Sequence, residues 1–416
     1  MLAKNPKVKI RKEQNHYLVY FIELRRIIPV NYIGAEIIRL FFNNQKSIET
    51  ISESLKKLNR KLTKKDVEDF LKNLRSILET PYEGGYPVIE EEEMEIPLAV
   101  ELQINTTCNL KCRHCCQADY ANTMPFKQIK LILDTLYKEK VFEVILVGGE
   151  LFLHPNIEEI IQLCCDKYYF ATTIVTNGTL LAPSLIKKLS RFKDVLSFLV
   201  SIEGVQEIND EIRGKGVFQK VDKTLRGLKK AGFYVEISTT INNFNINHYQ
   251  GLIDYSKSLD IPLNFNLFKP FKSTQDCLIL SPEKYFEFVK DIFKKRLSKK
   301  LNIGLTNAAI TAEILNQPKR NECKATLSGL TIDAKGRMIP CAFLSEIGYY
   351  NGEKLPVFNK NFLKIWRTNK YFKKFRSGNL RECQSCSYIF RGDTNKGSPY
   401  GISAFKKYVK VQSAND

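Results

Sequence analysis

The sequence predicts an α/β protein built on a parallel sheet. From about residue 98, a short apolar strand is followed by an amphipathic helix, and this unit occurs six times in series. Apolar, β-branched runs of this kind are typical of strands that are buried on both faces. A series of βα units implies a parallel sheet with crossover helices. The predicted strands cover residues 98–105, 141–149, 170–178, 195–204, 234–242 and 262–270.

Length and composition describe a large, reduced and basic protein. The chain has 416 residues, enough for two or three domains, and its 11 cysteines accompany 64 Lys+Arg and 45 Asp+Glu. No signal-like run and no segment of membrane-spanning length is present in the sequence, so we expect a cytoplasmic protein without a membrane partner. The net charge of +19 could suggest nucleic acid. The lysines are spread over helix-like segments, however, which disfavours a nucleic-acid partner.

Three cysteines stand directly after the first predicted strand. Cys108, Cys112 and Cys115 lie in the run CNLKCRHC and have the spacing CxxxCxxC. Three thiolates can hold a [4Fe–4S] cluster and leave one iron without a protein ligand, where an external molecule can bind. A zinc site would normally need a fourth ligand, and a disulfide would need an oxidising compartment. The spacing therefore favours a cluster.

Further motifs follow the next strands, at the edge where the carboxyl ends of parallel strands converge. Each motif is weak alone, but their order on successive strands is a strong pattern. The motif residues are Gly148, Gly149 and Glu150 after the second strand, Thr176 and Asn177 after the third, Ser201 and Glu203 after the fourth, and Arg213 shortly beyond.

This series resembles the radical S-adenosylmethionine (SAM) family over roughly residues 98–270. The resemblance implies a partial (β/α)6 TIM-like barrel, a [4Fe–4S] cluster on the three cysteines and SAM bound at the open iron. In that family, reductive cleavage of SAM gives a 5′-deoxyadenosyl radical, which abstracts a hydrogen atom from the substrate.

The resemblance also implies roles for the motif residues. The GGE motif would hold the methionyl amino group, and Thr176 and Asn177 would belong to the same cofactor site. Ser201 and Glu203 would contact the ribose or the carboxylate, and Arg213 would pair with the methionyl carboxylate. The chain departs from the family at Glu203, where many relatives have Asp, and in the two residues after GGE, where Pro-Leu is common.

A second cysteine set lies downstream. The run LTIDAKGRMIPC predicts a β-hairpin with its turn at Lys335-Gly336, which delivers Cys341 from the second strand. This arrangement resembles the SPASM/Twitch auxiliary-cluster domain, and residues 387–416 contain no further cysteine, so we expect one auxiliary [4Fe–4S] cluster. Four thiolates with one CxxC pair would also suit structural zinc. The four cysteines are Cys323, Cys341, Cys383 and Cys386.

One further cysteine, Cys277, follows the sixth predicted strand, near the expected mouth of the barrel. A thiol there could donate a hydrogen atom to a product radical, as the peptide epimerases of the family require. An incidental loop cysteine is the alternative.

Residues 1–80 have a different pattern. Three β-like stretches precede three helix-like segments, and Ser47 and Thr63 stand at the N-cap positions of the second and third helices. This order suggests a small winged-helix-like α+β domain, for which DNA binding is one reading. Residues 31–38, the helix start at Ser47 and the helix at 66–78 resemble a precursor-recognition domain related to the peptide chaperone of pyrroloquinoline quinone biosynthesis. Such domains capture a leader peptide as an added strand.

The predicted organisation follows from these segments. It comprises the recognition domain at 1–80, an acidic linker at 81–97, the barrel at 98–305, the auxiliary cluster domain at 306–392 and a tail at 393–416. Like charges in the linker favour an extended tether.

The combined pattern predicts a radical SAM peptide maturase. It would bind a ribosomal precursor peptide through its leader and receive electrons from a donor such as flavodoxin or ferredoxin. Crosslinking, epimerisation and dehydrogenation of the peptide all remain open. Two alternatives also remain open: a Twitch-type dehydrogenase of a small molecule, and an iron–sulfur winged-helix regulator.

Overall fold

The chain begins with a small α+β domain, as predicted. The computed structural model describes residues 6–79, 94–115, 121–268, 277–299, 302–306, 326–342 and 354–376. In the first of these ranges, an antiparallel sheet of order β1-β2-β3 is followed by three helices. These elements are β1 (Val8–Lys12), β2 (Tyr17–Phe21), β3 (Arg26–Val30), α1 (Tyr32–Ile38), α2 (Ile48–Leu55) and α3 (Lys64–Glu79).

The two predicted helix caps are confirmed. Ser47 Oγ accepts a hydrogen bond from Thr50 N at 3.3 Å at the start of α2. Before α3, Thr63 Oγ1 accepts from Asp66 N at 3.2 Å while Asp66 Oδ2 accepts from Thr63 N at 2.7 Å. This reciprocal capping box satisfies amide groups that the first turn of a helix leaves unpaired.

Six parallel strands form the centre of the molecule, which confirms the predicted α/β class. Each pairs with its neighbours in sequence order. The strands are β4 (Ala99–Gln103), β5 (Glu143–Val147), β6 (Ala171–Thr176), β7 (Leu196–Ser201), β8 (Tyr234–Ile241) and β9 (Leu263–Leu267). The intervening α-helices are α4 (Phe126–Lys138), α5 (Ile157–Gln162), α6 (Pro183–Leu189), α7 (Glu207–Arg213), α8 (Val217–Lys230) and α9 (Tyr249–Leu259). Within the described residues, no helix combines the length and apolar character needed to cross a bilayer.

Strands beyond the predicted six extend both edges of this sheet. After α10 (Pro282–Lys299), β10 (Ile303–Thr306) pairs in parallel with β9. The predicted hairpin is confirmed as β11 (Gly329–Ile332) and β12 (Met338–Ile339), but β11 also pairs in parallel with β4. The described part of the sheet therefore runs β10-β9-β8-β7-β6-β5-β4-β11-β12. Two further helices, α11 (Phe362–Thr368) and α12 (Lys370–Arg376), follow.

The two faces of the central sheet differ in burial. Side chains that point towards the helices are fully buried, as Val100, Ile174 and Val200 show at 0% exposure. The alternate side chains of the same strands keep partial exposure. Because side chains alternate across a strand, the less buried set lines the inner, concave face of the barrel. We call the space over this face the chamber.

The amino-terminal domain packs against the amino-terminal ends of the barrel strands. In the β2 segment, Leu18, Tyr20 and Ile22 belong to the hydrophobic core of the barrel, whereas Val19 and Phe21 belong to the domain's own core. This strand is therefore buried on both faces, which accounts for its unbroken apolar sequence YLVYF.

Polar contacts fix the same interface. Arg11 is 1% exposed, donates a hydrogen bond to Ile96 O at 2.7 Å and pairs with Glu13 at 2.8 Å. Tyr20 donates to Glu143 Oε1, at the start of β5, at 2.6 Å. Buried polar groups of this kind need their partners, so the domain is held in one position on the barrel.

The predicted linker, residues 81–97, is described only from residue 94 onwards. Met94 is buried, and its carbonyl accepts a hydrogen bond from Trp366 Nε1 at 2.9 Å. This end of the segment is therefore part of the folded core rather than an extended tether. Its composition did not indicate this, because the partner Trp366 lies 272 residues away in the sequence.

Candidate functional site

The three cysteines of CNLKCRHC lie in the loop after β4, at the carboxyl-terminal edge of the sheet, and all are half-buried. Cys108 Sγ accepts hydrogen bonds from Leu110 N at 3.4 Å and from Asn177 Nδ2 at 3.8 Å. Arg213 Nη1 lies 3.9 Å from Cys112 Sγ. The structure thus brings the cysteine loop together with residues that follow β6 and β7.

The two glycines of the GGE motif allow the loop after β5 to approach the cysteine loop closely. A Cβ on Gly148 would lie 2.2 Å from Asn105 Oδ1, and one on Gly149 would lie 2.3 Å from Thr107 O. The close approach lets Glu150 N donate a hydrogen bond to Thr107 O at 2.7 Å. Glycine is required at both positions because any side chain would separate the loops.

The carboxylate of Glu150 joins the ends of β5 and β6. It is 0% exposed and accepts hydrogen bonds from Thr176 Oγ1 at 2.8 Å, from Asn177 N at 2.8 Å and from Phe152 N at 3.2 Å. Burial raises the pKa of Glu150, and these hydrogen bonds oppose the rise. Glu150, Thr176 and Asn177 are therefore one network in this structure. Direct contact of any of them with SAM stays a prediction.

A second buried carboxylate, Glu203, is paired with Arg213. Its Oε1 lies 2.6 Å from Arg213 Nη2 and 3.4 Å from His114 Nε2, while its Oε2 accepts a hydrogen bond from Thr240 N at 2.7 Å. Glu203 is 0% exposed. The resemblance to the radical SAM family implied separate contacts of Glu203 and Arg213 with SAM. In the structure the two side chains form an ion pair with each other.

The electrostatics around Cys112 fit a metal cluster with an anionic neighbour. Burial raises the pKa of Cys112 to about 11, so the thiol keeps its proton unless a positive centre displaces it. Burial also lowers the pKa of His114 to about 4, which keeps the imidazole neutral. Among the described residues, Arg213 Nε and His114 Nδ1 are buried and have no hydrogen-bond partner. Such groups are suited to a bound cluster sulfide or carboxylate.

The spacing of the cysteines bears on the zinc alternative. In the described ranges, no three Cys, His, Asp or Glu side chains converge as ligands of a single metal ion. A zinc site needs that convergence because all its ligands bind one ion. In a [4Fe–4S] cluster each cysteine binds a different iron, so the sulfurs are spread around the cube.

Two predicted residues stand at the rim of the chamber. Ser201 is the last residue of β7 and is half-buried on the concave face. Cys277 is exposed, and its carbonyl accepts a hydrogen bond at 3.4 Å from Asn243 Nδ2, just beyond β8. Cys277 therefore lies near the carboxyl-terminal end of β8, and its role as a hydrogen donor stays a prediction.

The second cysteine set is described only at Cys341, which is half-buried and packs against the main core. The turn before it lies where predicted, with Gly336 at φ +75° and Asp333 Oδ1 accepting from Lys335 N at 3.0 Å. The other three members, Cys323, Cys383 and Cys386, lie outside the described residues.

Three asparagines that the sequence reasoning overlooked support the motifs. Asn105 Nδ2 donates to Glu150 O at 2.9 Å. Asn209 Oδ1 accepts from Glu203 N at 3.0 Å, and Asn245 Nδ2 donates to Glu203 O at 2.9 Å. Asn105 is the last residue of the strand predicted at 98–105, two residues beyond the end of β4, and that position could have marked it. No sequence signal marked Asn209, which lies in α7, or Asn245, which follows β8, because neither belongs to one of the motifs.

Comparison with known protein families agrees with this geometry. Residues 102–255 match the radical SAM superfamily. Residues 323–387 match SPASM, an iron-sulfur cluster-binding domain. The second match includes all four cysteines of the downstream set.

Individual relatives are of two kinds. The antilisterial bacteriocin subtilosin biosynthesis protein AlbA of Bacillus subtilis is 31% identical over 159 residues, which span 37% of this chain and 35% of that protein. The AdoMet-dependent heme synthase of Methanosarcina barkeri is 25% identical over 344 residues, which span 74% of this chain and 96% of that protein. Among solved structures, Streptococcus suis SuiB bound to precursor peptide SuiA superposes with a TM-score of 0.67 at 17% identity, covering 89% of each chain. That likeness confirms the fold.

Proposed function

We propose that this chain, which carries a radical SAM domain and a SPASM domain with SAM and [4Fe–4S] clusters as cofactors, is a peptide maturase. Its substrate is a ribosomally made precursor peptide, and its reaction removes a hydrogen atom from one residue of that peptide. The observation that carries the proposal is the small α+β domain docked on the barrel.

An edge strand of this domain supports peptide capture. Among the described strands, β1 and β3 each pair only with β2, so each has one edge without a strand partner, and β3 is the edge proposed to receive the peptide. An extended peptide can add to such an edge through main-chain hydrogen bonds, with side-chain pockets giving specificity. AlbA, named for bacteriocin biosynthesis, and SuiB, solved with a precursor peptide, point to the same substrate class.

The residues described above have distinct roles in the proposal. Cys108, Cys112 and Cys115 hold the first cluster, and Arg213 presents its free Nε beside Cys112 to an anionic group. When bound, SAM and the reduced cluster supply the radical chemistry that attacks an unactivated C–H bond. Glu150 holds the loops after β5 and β6 in place. The first cluster and SAM would therefore bind at an edge of the barrel whose geometry is already set.

The position of the domain sets a requirement on the peptide. The domain contacts the amino-terminal ends of the strands, whereas the cysteines follow the carboxyl-terminal ends. A strand of this length spans roughly 17–20 Å. A leader held on the domain must therefore be joined to the modified residue by at least about six extended residues.

The test is reaction of the anaerobically reconstituted chain with SAM, reduced flavodoxin and the precursor peptide encoded beside its gene. Mass spectrometry should show a loss of two hydrogens, or a gain of one deuterium in D2O if the product is an epimer. Cys108→Ala should abolish the change. Cys164→Ala, which alters a buried thiol near the amino end of β6, should retain it. Absence of any modification contradicts the function, and equal rates for leaderless and full-length peptide contradict leader capture.

The second cluster is part of the same proposal. Cys323, Cys341, Cys383 and Cys386 would hold one auxiliary [4Fe–4S] cluster, which could accept the surplus electron of a two-electron oxidation. Iron and sulfide analysis should approach about eight of each per chain. A value of about four of each, with one tightly bound zinc, would favour the structural zinc site.

A small-molecule substrate is the second candidate. It is favoured by the alignment with the heme synthase, which covers 96% of that enzyme. If an iron porphyrin were converted by the reconstituted chain without any peptide, this candidate would replace the first.

A further inference from the structure

A strongly basic segment runs from the end of α2 into the start of α3. Residues 56–65, with the sequence KKLNRKLTKK, contain six cations and no acid, and all six cationic side chains are exposed. We call this segment the basic turn. Leu58, which lies among the cations, is 53% exposed. The cations are Lys56, Lys57, Arg60, Lys61, Lys64 and Lys65.

Most of these charges have no acid partner in the chain. Lys64 pairs with Glu49 at 2.5 Å and with Glu68 at 3.8 Å. The other five cations form no ion pair with any residue that the structure describes. Cationic side chains on other helices do have such partners, namely Lys130 with Asp134, Arg226 with Asp222 and Lys295 with Asp291. A dense group of like charges without acids attracts an anionic partner.

The position of the basic turn relative to β3 follows from the direction of α3. A Cβ on Gly34, just after β3, would lie 3.2 Å from the ring of Phe70 in α3. At the other end, Arg26 at the start of β3 donates a hydrogen bond to Ile77 O near the end of α3. The helix therefore runs antiparallel to β3. With a rise of about 1.5 Å per residue, Lys64 lies about 9 Å further along the helix than Phe70, beyond the last residue of β3.

The free edge of β3 thus leads from the barrel towards the basic turn. In the turn before β3, Arg25 donates hydrogen bonds to Thr173 Oγ1 and to Thr172 O, both at 3.0 Å, at the start of β6. The first residue of β3 is therefore next to the barrel, whereas its last residue points to the start of α3. A peptide on this edge would have one end at the barrel and the other end towards the cations.

The direction of the added strand decides which end of the peptide meets the basic turn. The three strands of the domain are antiparallel, and a fourth strand added in the same way would run from the last residue of β3 to the first. Its carboxyl-terminal end would then leave at the barrel. Because a leader precedes the modified residues in a precursor peptide, this direction carries those residues to the barrel. A parallel strand would carry them away from it.

We propose that the basic turn binds an acidic segment of the precursor peptide, on the amino-terminal side of the segment that pairs with β3. Glutamate and aspartate side chains of the peptide would meet the lysines, and an apolar side chain beside them would contact Leu58. This inference rests on the proposed function, because it takes the peptide to lie on the edge of β3. It adds a direction and a charge requirement to leader capture.

Nucleic acid fits this surface less well than an acidic peptide does. If α2 and α3 acted as a helix-turn-helix, the first residues of α3 would face the DNA bases. Those residues include three acids, which would repel the phosphate groups of the DNA. The acids are Asp66, Glu68 and Asp69.

Binding of a fluorescein-labelled hexaglutamate peptide tests the basic turn without any precursor. The reconstituted wild type is compared with Lys56→Gln/Lys57→Gln/Arg60→Gln by fluorescence anisotropy, at low ionic strength and at about 0.15 M. An exposed ion pair changes affinity by roughly 1.4- to 5-fold, so the triple variant should bind about 3-fold more weakly or worse. Its affinity should also depend less on salt.

The matched control is Lys220→Gln/Lys223→Gln/Lys230→Gln, which removes three exposed lysines of α8 and changes the net charge by the same amount. Its hexaglutamate affinity should equal that of the wild type. Equal losses in the two triple variants would overturn the site, because only the overall charge would then matter. A DNA duplex that binds the wild type more tightly than hexaglutamate, and binds the basic-turn variant poorly, would assign the surface to nucleic acid instead.

Charge exchange with a precursor peptide that the wild type modifies tests the direct contact. Lys56→Glu/Lys57→Glu should raise the KM for this peptide and leave SAM cleavage without peptide unchanged. Replacing two acidic residues near the amino-terminal end of the leader by lysine should restore part of the loss. Absence of any restoration would overturn the contact.

Photo-crosslinking then determines the direction of the bound leader. A photoreactive residue at the amino-terminal end of the leader should label residues 56–65, and one at its carboxyl-terminal end should label the region around Arg26. The reverse pattern would overturn the inference. If the wild type modifies no peptide, the proposed function fails, whereas the hexaglutamate comparison still decides whether the basic turn binds acidic peptides.

Discussion

Replacing Arg213 by methionine separates the observed pairing of this side chain with Glu203 from its proposed binding of an anionic ligand. The side chains of Arg213 and Glu203 are 8% and 1% exposed and lie 2.6 Å apart. Removing one member of a buried ion pair leaves an uncompensated charge and typically costs about 3–5 kcal/mol. This is a large part of the roughly 5–15 kcal/mol that stabilises a typical domain. We therefore expect Arg213→Met to lower the free energy of unfolding by about that amount.

The double variant Arg213→Met/Glu203→Leu should recover much of this loss, because neither charge remains buried. Recovery will be incomplete, since Thr240 N loses its acceptor, at a cost of about 1–3 kcal/mol. Urea unfolding under anaerobic conditions provides the measurement. A double variant as unstable as Arg213→Met alone would refute the claim that the two side chains stabilise each other.

Titration calorimetry with SAM then addresses the second role. If Arg213 also binds the methionyl carboxylate, both the single and the double variant should lose SAM affinity. A stable double variant that binds SAM like the wild type would limit Arg213 to its pairing with Glu203.

Three further predictions concern other contacts. Gly149→Ala should reduce the iron held by the first cluster but not the second, because its Cβ would lie 2.3 Å from Thr107 O; iron analysis and electron paramagnetic resonance would show this. Tyr20→Phe should lower the free energy of unfolding by about 1–2 kcal/mol, since the 2.6 Å hydrogen bond to Glu143 is lost; a change near zero would contradict the interface. If Cys277 is the hydrogen donor, Cys277→Ser should abolish deuterium uptake from D2O without reducing SAM cleavage.

The sequence predicted those parts of the fold and site that depend on local pattern. Alternating apolar strands and amphipathic helices gave six parallel strands, and the cap residues Ser47 and Thr63 marked two helix starts. The order of motifs along the strands placed the cysteine loop beside Asn177 and Arg213, because parallel strands align their carboxyl ends.

Contacts between distant segments were not predictable in this way. The pairing of β11 with β4 joins residues more than 200 positions apart. The ion pair of Glu203 with Arg213 was missed because each residue was matched separately to the family's SAM contacts. The unbroken apolar sequence YLVYF is consistent with a strand that is buried on both faces. Sequence pattern alone does not identify the surface that covers the second face.

The double-sided burial of β2 has a consequence for protein engineering. Small domains of this kind can be exchanged between related chains, and the acidic segment at 81–97 is an obvious place to join them. The contact surface of a foreign domain joined there would not fit the barrel. In this chain Leu18 and Tyr20 pack into the core of the barrel, and Arg25, in the turn between β2 and β3, donates a hydrogen bond to Thr173 Oγ1 of β6 at 3.0 Å. A chimera should therefore retain these three side chains and graft only β3 and the helices, so that the amino-terminal ends of the barrel strands stay covered.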